Sequence, residues 1–382
     1  MSAETMGVEE EFLLVDPASG ATAPLAEKVV ARASAADLPV GATVQRELRD
    51  TQVEAATGVC GDAADLRAHL AAGRRAVATA ARDHGAVVVA SGSPVRGSGG
   101  AVPSSLARFA AIDDMYGEVT RDYEACGCHV HIGVADRDTA VAVVNHLARW
   151  LPTLLALSVN SPFRRERDTG YGSWRIVQQS RFPGSGLAPY FPDHAAFQAE
   201  VGRLVECGVV ADEAQTFWLA RPSPRLPTVE VRVADTASTV EEAVLQALLT
   251  RALVRTALTD LARGREAEPV PAQVAAAAVW NAARYGLVGP AVHLGLYRRV
   301  PAVDLVAALL DHVRIALTEA GDLPEVRALL DQLRSGGTGA DRQRRVAAAS
   351  GLGAVVTALT VGDEPAGLGY SGAALPPEVP HG

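Results

Sequence analysis

The residues best suited to chemistry are carboxylates and imidazoles inside segments that otherwise have the pattern of β-strands. The segment MGVEEEFLLVDP, residues 6–17, holds three consecutive glutamates among apolar residues. Successive side chains of a strand point to opposite faces of its sheet. Glu9 and Glu11 therefore share one face, whereas Glu10 lies on the other face with Val8. Two carboxylates on one face raise the question of what compensates their charge.

The segment TVEVRVAD, residues 228–235, alternates in the same way. Glu230 and Arg232 share one face, and the valines share the other. An exposed face with a salt bridge is an equally good interpretation of this strand alone, because antiparallel sheets often have one solvated face.

In CGCHVHIGV, residues 126–134, strand parity places two histidines on one face. His129 and His131 share that face, and Cys126 and Cys128 would lie opposite. This parity argues against a zinc site that combines sulfur and imidazole ligands. A His-x-His pair on a strand can still bind zinc, as in several hydrolases, or simply line a polar pocket.

The strand pair TVQRELRDTQVEAAT adds further acidic residues to this set. The candidate metal ligands are Glu9, Glu11, Glu47, Glu54, His129 and Glu230, with Arg232 beside them. Buried carboxylates without compensation would take up protons. Oxygen-rich ligand sets with one imidazole suit Mg²⁺ or Mn²⁺ better than Zn²⁺. Such a face could hold a metal-bound polyphosphate, unless the glutamates lie on unrelated surfaces.

The elements that must position these residues indicate an α+β protein. The predicted strands occur before residue 235, and the predicted helices cover 24–37, 62–85, 105–119, 138–159 and most of the chain after 238. Pro152 is expected to kink the helix at 138–159, and 160–194 reads as a long loop. We expect one catalytic domain over 1–361, strand-rich in 1–235 and helical in 236–361, and a flexible tail at 362–382.

Composition excludes several classes of function. The 382-residue chain has a net charge of -9, 48% hydrophobic and 21% charged residues, which argues against general nucleic-acid binding. No apolar run approaches the length of a membrane span. The N-terminus lacks an apolar signal segment, and four cysteines do not suggest a disulfide framework, so we expect a cytoplasmic protein. Lys28 is the only lysine, so no P-loop is present and a Schiff base would have to form there.

Eight segments in order resemble one family. They are GVEEEF, VEAATGVC, CGCHVHIGV, ALSVNSPF, RDTGYGSWR, RPSPRLPTVEVRVAD, ARYGL and GADRQR, and they run from about residue 7 to 345. Together they resemble the type-2 glutamate–cysteine ligases, also called YbdK-type carboxylate–amine ligases. The resemblance implies a glutamine-synthetase-like fold, in which an antiparallel sheet forms a metal-lined funnel, with a helical layer that is mostly C-terminal.

The resemblance also implies an activity and roles for residues. Members use ATP with Mg²⁺ or Mn²⁺ to phosphorylate a carboxylate, classically the γ-carboxylate of glutamate, and an amine then forms the amide. The family's acidic and histidine positions fall on Glu9, Glu11, Glu47, Glu54, His129 and Glu230, and its arginine on Arg232. Glu10 is then expected to be structural. Arg232 and Glu54 are the expected catalytic residues.

Further positions follow from the same resemblance. Arg175 is expected to bind a substrate carboxylate, with Arg164 as a nearby competitor and His131 as a substrate contact. Arg232 and Arg344 are expected to bind nucleotide. Many members have Gly-Thr-His-Pro-Phe after the third strand, whereas this chain has ASGSPV with Ser93 and no histidine, so a specialised acid or amine is a second possibility.

Two other interpretations belong to different classes of protein. A metallohydrolase would use His129 and His131 as zinc ligands and would not consume ATP. A catalytically silent family member would bind a small molecule or partner, although retention of every acidic position argues against it. The expected ligands are small molecules, and the sequence leaves a homo-oligomer open.

Overall fold

An antiparallel sheet forms the centre of the molecule, which a computed structural model describes over residues 5–97 and 104–362. Its strands are β1 (Met6–Val15), β2 (Thr43–Arg46), β3 (Gln52–Ala56), β4 (Val87–Val89), β5 (Gly127–Gly133), β10 (Ala220–Pro222) and β11 (Thr228–Asp235). Their order is β10–β11–β5–β1–β3–β2, and β4 pairs with the end of β1. The expected α+β class is confirmed.

Helices and short strand pairs surround this sheet. The helices are α1 (Ala26–Ala33), α2 (Ala63–Asp83), α3 (Ala107–Tyr116), α4 (Glu118–Arg121), α5 (Arg137–Leu147), α6 (Leu151–Ser158), α7 (Trp174–Gln179), α8 (His194–Glu206), α9 (Val240–Ala262), α10 (Ala272–Tyr285), α11 (Ala302–His312), α12 (Arg314–Ala320), α13 (Leu323–Gly336) and α14 (Gly339–Ala358). The short strands are β6 (Phe163–Arg164), β7 (Arg167–Asp168), β8 (Ser185–Gly186), β9 (Phe217–Trp218), β12 (Pro290–His293) and β13 (Arg298–Pro301), and Glu213–Gln215 forms a 3₁₀ turn.

The apolar face of the sheet packs against helices. Val8, Val130 and Val231 point to this face and join a buried cluster with residues of α5, α6 and α9. Burial of these side chains supplies most of the driving force that keeps the sheet and helices together. The opposite face of the same strands therefore carries the polar residues, as strand parity predicts.

The longest N-terminal helix shows how local sequence sets element boundaries. The side chain of Asp62 accepts a hydrogen bond from the backbone N–H of Asp65 and caps the start of α2. Gly85, with a φ of +77°, follows the helix end in the left-handed region that glycine adopts without steric cost. Both boundaries agree with the sequence-based prediction.

Three segments differ from the prediction. The helix expected at 138–159 is two helices, α5 and α6, which meet at an angle of 66°. Pro152 lies in the first turn of α6, where a missing N–H is tolerated, rather than kinking a helix interior. The segment 160–194 contains α7 and the short strands β6 to β8, and the helical C-terminal half contains the hairpin β12–β13. The tail predicted at 362–382 lies almost wholly outside the described residues.

Within the part of the chain that the structure describes, no single helix is both long and apolar enough to cross a membrane. The bent pair α5–α6 reaches that length and apolarity only when its two helices are taken together. Most of the apolar residues of this pair are buried in the core described above.

Candidate active site

Neighbouring strands bring the predicted acidic residues to one face of the sheet. In the register of β1 with β5, Glu9 lies opposite His129, and in that of β1 with β3, Glu11 lies opposite Glu54. Side chains directly opposite in an antiparallel pair are close neighbours. Together with Glu47, which follows β2, they line a cavity of about 370 Å³.

Glu9 lies between the two histidines of β5. Its Oε2 is 3.4 Å from Nδ1 of His129, and its Oε1 is 3.3 Å from Nε2 of His131. Burial opposes ionisation of Glu9, but the two imidazoles hold its pKa below the ordinary value. The Nδ1 of His131 is 2.9 Å from the hydroxyl oxygen of Thr228, which orients the ring. The two rings thus contact different oxygens of Glu9.

The ligand atoms of this face form three overlapping groups, within each of which all atoms lie within 4.8 Å of one another. The groups are Glu9, Glu54 and His129; Glu9, His131 and Glu230; and Glu11, Glu47 and Glu54. No group contains both histidines, so the geometry does not favour the His-x-His zinc site of a hydrolase. Carboxylate-rich groups with at most one imidazole fit Mg²⁺ or Mn²⁺.

Glu47 and Glu54, on the β3 side of the face, form no ion pair with the described residues. Burial, followed by the negative charge of Glu11, raises the pKa of Glu47 to about 8. Burial and the neighbouring carboxylates Glu9, Glu47 and Glu11 raise the pKa of Glu54 well above its ordinary value. Groups in such surroundings hold protons unless cations replace them. The donor set therefore fits divalent cations.

Two arginines bind Glu230 on β11. Nε of Arg221 is 2.8 Å from Oε2 of Glu230, and Arg232 also forms an ion pair with this carboxylate. Burial opposes ionisation, but both guanidinium groups hold the pKa of Glu230 well below its ordinary value. The Nε of Arg232 is buried and has no hydrogen-bond partner among the described residues. This leaves a cationic donor beside the carboxylate face.

Arg175 on α7 faces the cavity from another side. Its Nη2 lies 3.5 Å from Nε2 of His129 and donates to the carbonyl of Arg232 at 3.1 Å. The side chain is 2% exposed. Burial raises the pKa of Glu11, and the positive charge of Arg175 opposes this effect. A Cβ at position 127 would lie 2.3 Å from Nη2, so only Gly127 leaves room for this group.

A buried polar network fixes α7 and hence Arg175. The hydroxyls of Ser161 and Ser173 each donate to Asp235 at 2.7 Å, and Ser173 also caps the start of α7. The backbone N–H of Arg175 donates to the Ser161 hydroxyl at 3.1 Å. The sequence offered no signal for this network, because its members come from separate loops and one strand end.

Two predicted arginines do not line the cavity. Nε of Arg344 is 2.8 Å from Oδ2 of Asp168, and Arg344 also donates to the Tyr171 carbonyl. Arg164 forms an ion pair with Asp122 and lies over the Trp174 ring. The described geometry therefore places both side chains away from the residues that line the site.

The loop after β4 is buried rather than lining the pocket. The hydroxyl of Ser93 donates to the Phe163 carbonyl at 3.0 Å, and that of Ser91 donates to the Asn160 carbonyl at 3.0 Å. Neither serine lines the cavity. The described part of the loop therefore gives no support for a specialised substrate, and residues 98–103 lie outside the described structure.

Other residues that line the cavity have no signal in the sequence. Gln52, Gln179 and Gln215 line it through side chains on β3, α7 and the 3₁₀ turn, and Tyr123 contributes an aromatic wall. Glutamines are common on solvated surfaces, so no pattern in the sequence separates these from exposed ones. Only the arrangement of the elements identifies them.

Comparisons with known proteins identify the fold. The glutamate–cysteine ligase of Francisella tularensis, solved in complex with AMP, superposes with a TM-score of 0.62 at 12% identity, over 93% of this chain and 87% of that one. A bifunctional glutathione synthetase from Pasteurella multocida gives 0.65 at 14% identity, over 92% and 52%. The expected glutamine-synthetase-like antiparallel fold is confirmed.

Closer relatives are found among curated sequences. A candidate glutamate–cysteine ligase 2-2 of Saccharopolyspora erythraea is 55% identical over 94% of this chain and 93% of its own length. A candidate glutamate–cysteine ligase 2 of Salinispora arenicola is 43% identical over 90% of each. The profile of glutamate–cysteine ligase family 2 matches residues 5–358. The chain therefore belongs to glutamate–cysteine ligase family 2 and is an ATP-dependent ligase that forms C–N bonds.

Proposed function

We propose that the protein activates the γ-carboxylate of glutamate with ATP and couples it to an amine such as that of cysteine. The observation that carries this proposal is Arg175, a buried guanidinium that lines the same cavity as the carboxylate face. Such a cavity suits an acid with two carboxylates, one that reacts and one that binds the arginine. The names of the relatives make glutamate and cysteine the first substrates to test.

The carboxylate face is proposed to hold the metal ions. The ligands would be Glu9, Glu11, Glu47, Glu54, His129 and Glu230, which contribute to the three groups of ligand atoms. Bound Mg²⁺ or Mn²⁺ ions would neutralise negative charge on the phosphate groups of ATP. Glu54 belongs to two groups, so its loss should disrupt more of the site than the loss of most single ligands.

Arg232 is proposed to bind the transferring phosphoryl group. Its guanidinium is held by Glu230, which leaves Nε buried without a partner in the described structure. A guanidinium with a free N–H donor is well suited to a phosphate oxygen. Because this donor is already oriented, it can stabilise charge that develops on the phosphoryl oxygens.

The proposed reaction has two steps. A γ-carboxylate oxygen attacks the γ-phosphorus of ATP, the bond to the β–γ bridging oxygen breaks, and ADP leaves with that electron pair. The amine nitrogen then attacks the acyl carbon, phosphate leaves with the C–O bonding electrons, and the nitrogen loses a proton to solvent. Catalysis of the first step is mainly positioning and electrostatic stabilisation.

The remaining predicted residues receive different roles. His131 lines the cavity and faces Glu9, so it stays a candidate substrate contact. Arg164 and Arg344 form ion pairs with Asp122 and Asp168, so we assign neither a role in substrate or nucleotide binding.

The test uses hydroxylamine, which attacks an acyl phosphate without needing the natural amine site. Purified protein with ATP, Mg²⁺ and glutamate should form γ-glutamyl hydroxamate and release one phosphate per hydroxamate. Addition of cysteine in place of hydroxylamine should give phosphate release that requires both amino acids. If hydroxamate forms but cysteine does not stimulate phosphate release, glutamate is the acid and cysteine is not the amine. If no hydroxamate forms with glutamate, glutamate is not the acid.

A further inference from the structure

Two glutamines in the cavity are buried with unsatisfied amide groups. Gln179 is 3% exposed, and its Oε1 has no hydrogen-bond partner among the described residues. Gln215 is 5% exposed, and its Nε2 has none. Buried polar groups in proteins nearly always have a partner, and leaving one unsatisfied is costly. Both side chains line the cavity of the active site, so a bound molecule is the natural partner.

The position of Gln179 relates it to Arg175. The two residues are four apart on α7, so their side chains lie on the same face of that helix. Both are buried and both line the cavity. Gln178 also has an Oε1 without a partner among the described residues, but its Nε2 donates to the Asp122 carbonyl at 3.1 Å and its side chain does not line the cavity. The face of α7 that carries Arg175 therefore also offers a free amide to whatever Arg175 binds.

The orientation of the Gln215 amide is fixed by the backbone. Its Oε1 accepts a hydrogen bond from the N–H of Ala211 at 2.6 Å, so the opposite end of the amide, Nε2, is a donor. Arg221 holds the surrounding turn, because its Nη1 donates to the carbonyls of Ala214 and Thr216 at 2.9 and 3.0 Å. The free donor is thus held by the same arginine that binds Glu230.

The elements that carry these glutamines meet at one aromatic contact. Phe182, whose N–H bonds the carbonyl of Gln179, stacks on Phe217 with ring centroids 4.4 Å apart. Phe217 follows Gln215 by two residues. The end of α7 and the 3₁₀ turn are therefore held against each other beside the cavity.

We propose that Arg175, Gln179 and Gln215 form a subsite for the α-amino-acid head group of the acid substrate. The α-carboxylate accepts hydrogen bonds from Arg175 and from Nε2 of Gln215, and the α-ammonium group donates to the amide oxygen of Gln179. The subsite makes the enzyme specific for acids that carry both groups. This inference rests on the proposed function, because it names the residues that bind the end of the acid that does not react.

The test measures hydroxamate formation with hydroxylamine and three acids. Glutamate has both head groups, glutarate lacks the amino group, and 4-aminobutyrate lacks the α-carboxylate. The wild-type protein should prefer glutamate to each analogue by at least about 100-fold in kcat/KM, because a site built around hydrogen bonds rejects molecules that leave them unmade. This comparison does not depend on any variant folding.

Variants then assign each contact. Gln179→Leu should reduce the preference for glutamate over glutarate by about 10-fold or more and leave the preference over 4-aminobutyrate unchanged. Gln215→Leu should reduce the preference for glutamate over 4-aminobutyrate by about 10-fold or more and leave the preference over glutarate unchanged. Gln179→Glu keeps an acceptor and should retain the preference over glutarate. Gln198→Leu, whose Nε2 lies near His194 on α8 and away from the cavity, should change neither ratio.

The outcomes separate this inference from the proposed function. Hydroxamate formed equally well from glutamate and glutarate by the wild type would overturn the subsite but keep the ligase with a different acid end. Folded Gln179→Leu and Gln215→Leu variants with unchanged ratios would also overturn it. Absence of hydroxamate with every acid would overturn the proposed function, and the subsite with it.

Discussion

Glu10 and Glu11 are neighbours on β1, and both are more than nine-tenths buried, yet their surroundings differ. Glu10 points to the helical side, where Arg74 of α2 binds both of its oxygens at 2.6 and 2.9 Å. Glu11 points to the cavity, where it accepts a hydrogen bond from the backbone N–H of Gly127 and lies opposite Glu54 on the neighbouring strand β3. Burial, the largest influence, raises the pKa of Glu11.

The difference separates two ways to bury a carboxylate. A guanidinium from a fixed helix compensates Glu10 permanently, so its role is structural. In the cavity, Glu230 is paired with Arg221 and Arg232, whereas Glu47 and Glu54 have no ion-pair partner among the described residues and lie among other carboxylates. These two carboxylates therefore suit a cationic partner that binds and leaves. Five predictions test this difference.

The largest effect is expected from breaking the permanent pair. Arg74→Ala leaves the buried Glu10 without its partner, which should lower the free energy of unfolding by about 3–5 kcal/mol. Urea denaturation with and without Mg²⁺ would measure this loss, and Mg²⁺ should not restore it. As a control, Arg32→Ala removes an exposed pair with Asp83 and should cost about 1 kcal/mol or less. Equal losses in both variants would contradict the assigned role of Glu10.

The next effect concerns a cavity carboxylate. Glu54→Gln should reduce kcat for hydroxamate formation by about 10²–10³-fold, because it removes a ligand shared by two groups. The metal-free variant should be about as stable as the metal-free wild type, since the neutral glutamine resembles the protonated Glu54 that the metal-free cavity favours. Glu118→Gln, at an exposed residue of α4, is the control for activity. An active Glu54→Gln protein would exclude Glu54 from the metal site.

Metal ions should stabilise the protein through the same carboxylates. At Mg²⁺ concentrations 100 times the Kd, the free energy of unfolding should rise by about 2.7 kcal/mol. Thermal unfolding with Mg²⁺ and with a chelator would measure this, and the effect should be smaller in Glu54→Gln. An unchanged midpoint would mean that the folded protein does not bind Mg²⁺ here.

The stability of the metal-free protein and its stabilisation by Mg²⁺ should both depend on pH. The pKa of Glu47 in the folded, metal-free protein is raised to about 8, above its value of 4.5 without the fold. Its proton therefore contributes stability that is complete below pH 4.5 and is lost as the pH rises through 8. Metal-free protein should lose stability over this range, and the stabilisation by Mg²⁺ should be larger at pH 8 than at pH 6.

The smallest effect is expected at Arg344. Its ion pair with Asp168 is partly exposed, and such pairs contribute about 0.2–1 kcal/mol. Arg344→Gln should therefore leave the KM for ATP within about threefold of the wild type. A large rise in this KM would restore the nucleotide-binding role that the resemblance implies and that the described geometry does not support.

The sequence predicted the carboxylate face because strand parity is a local property. Glu9 and Glu11 on one face and Glu10 on the other follow from the alternation of side chains alone. Arg344 shows the limit of this reasoning, because its side chain on α14 turns to Asp168 through tertiary packing. The hairpin β12–β13 was missed for a similar reason: its strands have four residues each, too few for a clear period.

The order of the strands has a consequence for folding. Glu9 pairs with His129, and His131 pairs with Glu230, so the residues of each contact lie about 100 or more positions apart in the chain. Contacts of such long range form slowly, because loop closure costs entropy before the contacts are made. A nascent chain that has not yet reached β11 lacks Glu230 and Arg232. Acquisition of metal ions should therefore report completion of the central sheet rather than initiate it.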